Sequence, residues 1–408
     1  MNEPIAIDKY AARLLMIAFF LPMKVQGAMV ILLCVYFACK VFVSRLPVHR
    51  QSVLWALVIG SGFFLYAFSI PLTPVADRHI LSMMISNRAS LLLMPVIFAI
   101  ITPAFGGLLM RELKYFVYAC LVACIIANVA FIYHFYFSGN TVQHVTHVDY
   151  RQFLERFTGI HPTYLGMYLA FAICILLGGY VHIDRIAKIV MLYVLLMLLL
   201  AVLAKSPLIA LFLIFIHYGY LHRQIIFRYK WLLGGMLVAV VAVCFFIPFI
   251  GQRTGEMLAL FGKAKPANVT DNSIYTREMI WRVDTGLIKQ YWLTGIGPAH
   301  LLRYLDYHYF FYSVTHVYSV DYFDPHNEYF WEWISFGITG IIVCAAVLII
   351  HFIKAIRGRN YLYIYLLLIL SVTFSTESVL SRQQGILFYT VFTSLFFFYK
   401  PVSAAKHR

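Results

Sequence analysis

From about Tyr329 to Lys354 the chain stays apolar for long enough to cross a bilayer, a distance that takes roughly 20 helical residues. It is one of many such runs. Further apolar segments lie near 10–22, 26–44, 53–70, 88–106, 115–137, 162–181, 187–204, 207–222, 231–250, 361–376 and 385–399. A single soluble core cannot bury that much apolar chain. Hydrophobic residues make up 62% of the 408 and charged residues 12%, against the roughly 25% charged of a soluble domain. The sequence therefore predicts an all-α, polytopic integral membrane protein with about twelve transmembrane helices. The first run lacks a small-residue cleavage site and is followed by more spans, so it reads as a retained helix.

Positive residues set the orientation, because short cytoplasmic loops carry the excess of Lys and Arg. Arg45 and Arg50, Arg111 and Lys114, Arg185 and Lys188, Arg223, Arg228 and Lys230, Lys354, Arg357 and Arg359, and Lys400, Lys406 and Arg408 share one side if both termini are cytoplasmic. The net charge of +15 is thus mainly a topology signal. Being spread over separate loops, it forms no patch for nucleic acid. All seven cysteines fall inside apolar runs, where they read as small core residues rather than disulfide partners or metal ligands.

The expected organisation is helices one to nine over residues 1–250, one large external loop over 251–328, and helices ten to twelve with a cytoplasmic tail over 329–408. Within the loop, SIYTREMIWRVDTGLIKQYW is helical in pattern: Ser273 can cap it, and Arg277, Trp281, Asp284 and Ile288 recur on one face. GIGP at Gly295–Pro298 stops it. The Tyr- and His-rich stretch that follows suits a membrane interface or stacking on sugar rings.

His326 stands at a membrane–water boundary beside Asp324, Asn327 and Glu328. It is a candidate for proton transfer on a lipid-anchored substrate. The plainer reading of the same turn is a helix cap, with Asp324 or Asn327 accepting backbone N–H bonds. Arg88, His161, Tyr164, Lys205, Glu377, Arg382 and Gln383 lie at the external ends of other spans, and each taken alone reads equally as a side chain snorkelling to the interface. Lys205 resists that reading most, since short external turns are depleted of positive residues. Cations converging there from several helices would make an anion site suited to a diphosphate. No phosphate loop, dinucleotide fingerprint or Ser-His-Asp arrangement competes, and no acidic cluster has Mg²⁺-like spacing on the external side.

The chain resembles the O-antigen ligase and polymerase superfamily of bacterial envelope glycosyltransferases. The resemblance rests on His326 and Asn327, nine residues, then Gly337 to Gly340, supported by Arg277 with Trp281 ahead of GIGP, Lys205, HPTYLGMYL from His161, and Arg382 to Gly385. Where ligases commonly carry an arginine after a serine, this chain has Ala204 and Lys205, which makes a point-charge contact rather than a bidentate fork. The resemblance implies a periplasmic loop and transfer of a glycan from undecaprenyl diphosphate to a hydroxyl of lipid A core or a similar acceptor, at the outer face of the inner membrane. It implies inversion, no metal and no cofactor. It also implies His326 as base, Arg277 and Lys205 as the main diphosphate contacts, Arg382, Arg88 and Arg282 as weaker ones, and His161, Asn327 and Gln383 as further site residues.

Three alternatives stay open at this level. A polysaccharide polymerase would use a second lipid-linked glycan as acceptor, and a protein O-glycosylating ligase would use an exported protein. A transporter or flippase would carry internal repeats and ionisable residues at mid-bilayer, whereas here the polar residues crowd at the external ends of spans.

Overall fold

The computed structural model describes residues 6–137, 146–224, 273–311 and 324–400. The expected span at 231–250, residues 251–272 and 312–323 of the expected loop, and the tail beyond residue 400 lie outside them. Among the described residues the chain is all-helical, with no strand. In chain order the helices are α1 (Ala6–Ile17), α2 (Met23–Val43), α3 (Arg50–Ile59), α4 (Ser61–Phe68), α5 (Arg78–Arg88) and α6 (Ser90–Phe137). Then come α7 (His147–Thr158), α8 (Pro162–Leu177), α9 (Arg185–Val202), α10 (Lys205–Leu221), α11 (Ser273–Tyr291) and α12 (Leu301–Phe311). The last four are α13 (Glu328–Phe336), α14 (Ile338–Arg357), α15 (Tyr361–Phe374) and α16 (Gln383–Phe398).

Among the described residues, four helical stretches can cross a membrane by length and composition, or six if the bent pairs α3–α4 (59°) and α7–α8 (78°) each count as one span. Helices α10, α15 and α16 are apolar but shorter, at 17, 14 and 16 residues. At 1.5 Å per residue they rise about 20–25 Å, short of a hydrocarbon layer of about 30 Å.

Helix α6 folds back on itself. Leu91 borders a small cavity with Leu380 and Tyr389, Gly106 packs toward the Tyr399 ring, and Phe116 returns to within 5.2 Å of Phe392. A straight helix would instead carry Phe116 about 15 Å past Gly106, away from Phe392. Pro103 and the Gly106–Gly107 pair supply the bend, since proline removes a helical hydrogen bond and glycine tolerates the distortion. The expected spans at 88–106 and 115–137 lie on its two arms.

The core is aromatic. Phe19, Phe116, Tyr168, Phe171, Phe388 and Phe392 pack edge-to-face and stacked around the crossing of α6, α8 and α16. Such pairs add about 0.5–1.5 kcal/mol each beyond the area they bury. Cys34, Cys120, Cys124 and Cys174 are buried and free.

Helix direction then sorts the polar residues. Helices α8 and α10 begin, and α15 ends, at the end of the bundle where α14 and α16 begin, so His161, Lys205, Asn327, Glu377 and Arg382 gather there. Arg357, Tyr361 and Lys400 lie at the other end.

Candidate active site

Asn327 caps α13: its Oδ1 accepts from Phe330 N at 3.2 Å, while its Nδ2 donates to Ser375 O at 3.2 Å and ties the cap to the end of α15. The capping role expected for this turn thus belongs to Asn327, and His326 is left for other work. Asp324 Oδ1 accepts from His326 N at 2.8 Å and from Ser378 Oγ at 3.3 Å. These contacts hold His326 in the left-handed region, at φ +44°, where a side chain with a Cβ is uncommon and strain is characteristic of functional positions. Trp281 Nε1 on α11 donates to Pro325 O at 3.1 Å, fixing the turn from its other side.

Gly337 and Gly340 shape the other end of α13, where it kinks into α14. Gly337 adopts φ 62°, ψ −147°, a conformation open essentially to glycine alone, and its missing Cβ would lie 2.2 Å from Leu293 O. Ile296 N and Gly297 N donate to Ile334 O and Ser335 O at 2.9 and 3.0 Å. GIGP is therefore the strap that crosses the kink between α13 and α14.

The centre of the site is Glu377, 6% exposed in the turn between α15 and α16. One carboxylate oxygen accepts from Arg277 Nη2 at 2.7 Å and from Thr163 Oγ1 at 3.4 Å, and the other lies 3.1 Å from His326 Nδ1. Burial pushes His326 down, but the Glu377 hydrogen bond, its charge and that of Asp324 outweigh it, leaving the imidazole above its ordinary value. Burial raises Glu377, yet His326 and Arg277 more than reverse this and hold it well below the usual carboxylate range. With Nδ1–H turned to Glu377, the His326 Nε2 has no hydrogen-bond partner among the described residues. That is the tautomer a proton acceptor needs.

Against this carboxylate opens a pocket of about 550 Å³. Arg151, Lys205, Arg277 and Arg282 bring four cations to its wall, with Trp281 and Thr163 between them. Arg282 also pairs with Glu278 at 2.7 Å, one turn away on α11. Arg277 keeps its Nε buried without a hydrogen-bond partner, so part of its guanidinium is uncommitted. His326 is not itself in the wall: it stands behind Glu377, with its side chain 26% exposed.

The other expected residues fall around this centre. His161 caps α8, accepting from Thr163 N at 3.4 Å, and burial together with Arg382 and Arg151 brings it to about 4 against the opposing pull of Glu377, so it is neutral at physiological pH. Arg382 is half exposed and reaches Glu155 at 3.7 Å, and Gln383 is exposed beside Gly27. Arg88 is 2% exposed and lies away from the pocket, between the rings of Tyr66 and Trp331 at 4.5 and 5.2 Å. Its Nε and Nη2 are buried without hydrogen-bond partners, in the field of Glu328 and Glu332.

Arg151 was not read from the sequence as a site residue, and Glu377 was given no role there. The signals exist: Thr146 and Asp149 form a capping box that opens the short amphipathic α7 carrying Arg151, and Glu377 is the lone carboxylate of the turn before Arg382. Among the described residues no three His, Cys, Asp or Glu side chains are grouped so as to hold a metal ion.

No curated protein matches the chain. Residues 189–345, from α9 into α14 and including Lys205, Arg277, His326 and Asn327, match the family model described as O-antigen ligase, and over this segment the chain carries a domain of the O-antigen ligase superfamily.

Proposed function

We propose that this protein is an inverting glycan ligase of the inner membrane, with about twelve spans, both termini cytoplasmic and residues 251–328 forming a periplasmic loop. The donor is a glycan on undecaprenyl diphosphate, and the acceptor is a hydroxyl of lipid A core or a similar glycan. The observation that carries the reading is the Glu377 carboxylate, which joins a histidine with a free Nε2 to an arginine on the wall of a four-cation pocket.

The chemistry needs little else. The acceptor oxygen attacks the anomeric carbon from the face opposite the diphosphate, its proton passes to His326 Nε2, and the carbon–oxygen bond to the diphosphate breaks. The leaving group gains one negative charge. Arg277, Lys205, Arg151 and Arg282 stand where that charge develops, and fixed cations in a partly dry site stabilise it without reorganising. Glu377 holds the imidazole in the reactive tautomer and stabilises the imidazolium as it forms, the role an acidic partner plays toward a catalytic histidine elsewhere. No cofactor enters the scheme.

Deletion in the native host with profiling of lipopolysaccharide tests the reading. Loss of a ligase leaves long glycan on the lipid carrier and bare core on lipid A. Core capped by single repeat units would instead identify a polymerase.

A further inference from the structure

At the end of the bundle away from His326 lies a larger cavity, about 1320 Å³. Helix α15 runs from the rim of this cavity to the turn that carries Glu377, and its 14 residues rise about 21 Å. Lys354 and Arg357 from the last turns of α14, Arg359 from the turn that follows and Lys400 from beyond α16 all line this cavity, and no Asp or Glu among the described residues does. None of the four is paired with a carboxylate among the described residues. Four like charges facing one volume repel each other, and an anion placed among them removes that cost.

The rim is a built structure. Gly358 N and Asn360 N donate to Lys354 O and Ala355 O, both at 3.0 Å, which closes α14, and Arg359 sits at φ +47° inside that turn. Asn360 Oδ1 then accepts from Tyr363 N at 3.1 Å and caps α15. Arg357 and Arg359 are thus carried on a closed turn between two helices.

Behind the cations the wall is apolar: Ile350, Ile353, Leu362 and Phe396 line it, with Trp55 and Tyr218 at its sides. A free inorganic anion would satisfy the cations and leave this wall in water. A molecule with phosphate at one end and hydrocarbon at the other satisfies both parts. We propose that this cavity binds an anionic phospholipid, its phosphate among Lys354, Arg357, Arg359 and Lys400 and an acyl chain along Ile350, Ile353 and Phe396. Basic clefts between transmembrane helices bind anionic headgroups by this combination of charge and apolar contact.

The full-length protein, purified in detergent, tests this by native mass spectrometry with phosphatidylglycerol and with phosphatidylcholine of the same acyl chains, and with no glycan donor present. Wild type retains phosphatidylglycerol at concentrations where phosphatidylcholine is lost. Arg357→Gln with Arg359→Gln weakens retention by about fivefold for each charge removed, and Arg357→Lys keeps it. Equal retention of the two lipids would reduce the cavity to an apolar crevice and overturn the proposal. Displacement of phosphatidylglycerol by inorganic phosphate at equal concentration would show a free-anion site and overturn it as well. The wild-type comparison decides the matter even if the double variant does not fold.

Discussion

His326 Nδ1 lies 3.1 Å from Glu377 Oε2, while the other oxygen of the same carboxylate lies 2.7 Å from Arg277 Nη2. One buried carboxylate from the turn between α15 and α16 thus sets the orientation of a histidine from one segment and an arginine from another. The separations in sequence are 51 and 100 residues, so nothing local produces the arrangement.

The pair has a signed pH dependence. His326 is raised above its ordinary value, so its contribution to stability is present below about pH 6.5 and fades as pH rises through the folded pKa; Glu377 is lowered, so its contribution is present above about pH 4.3 and fades as pH falls. The stability difference between wild type and Glu377→Gln is therefore largest between about pH 4.5 and 6.5, which thermal unfolding across pH would read. For transfer, only neutral His326 accepts a proton, so the acid limb of kcat/KM falls above the ordinary histidine value. Glu377→Gln removes the charge that stabilises imidazolium, moves that limb to lower pH and lowers transfer about 10²-fold or more. An unmoved limb would detach Glu377 from the base.

Arg277→Ala removes a partly desolvated charged contact and leaves Glu377 without its arginine, an expected loss of about 2–5 kcal/mol in transition-state stabilisation. Lys205→Arg retains more activity than Lys205→Ala, because the charge at the pocket is kept. Steady-state transfer rates on protein confirmed as folded check both. Wild-type rates from folded Arg277→Ala would remove the diphosphate clamp from the account.

Gly337→Ala is expected to prevent stable folding rather than to impair chemistry alone. The new Cβ meets Leu293 O at 2.2 Å in a backbone conformation alanine rarely adopts, and strain of that kind costs about 1–3 kcal/mol before the clash is counted. Thermal unfolding in detergent reads it, and a midpoint within a few degrees of wild type would show that the crossing of GIGP over this kink yields easily.

Much of this was legible in the sequence. The apolar runs announced a helical membrane protein, the motif residues Asn327 and Gly337 bracket the single short helix α13, and Arg277, Lys205 and Arg282 line one pocket. The site's hub was harder to read. Glu377 owes its role to the packing of α15 against α8 and to the reach of Arg277 from α11, a tertiary fact that no periodicity reports. Arg88 shows the converse: an arginine near an external helix end looked available, but aromatic rings of α4 and α13 enclose it. Helix ends were not legible either: the apolar runs behind α10, α15 and α16 close as helices of 17, 14 and 16 residues.

Topology follows from the positive loops and is tested with single cysteines. A cysteine at Lys263 is expected to react with an impermeant maleimide added outside, whereas Cys39, exposed toward the end of α2 away from His326, reacts only once the cytoplasmic side is opened. Reaction of the Lys263 position only from the cytoplasmic side would invert the map and remove the periplasmic site.

The central claim is that His326 accepts the acceptor's proton. Transfer from a lipid-linked glycan, measured with purified and folded His326→Ala and His326→Asn, tests it most directly. The account predicts that both variants lose about 10²–10⁴-fold in transfer while donor binding is largely kept, because a general base contributes about that much and Asn cannot take up a proton. Near wild-type transfer by His326→Asn, a residue that favours the left-handed backbone at this position, would show that His326 serves the turn and not the reaction.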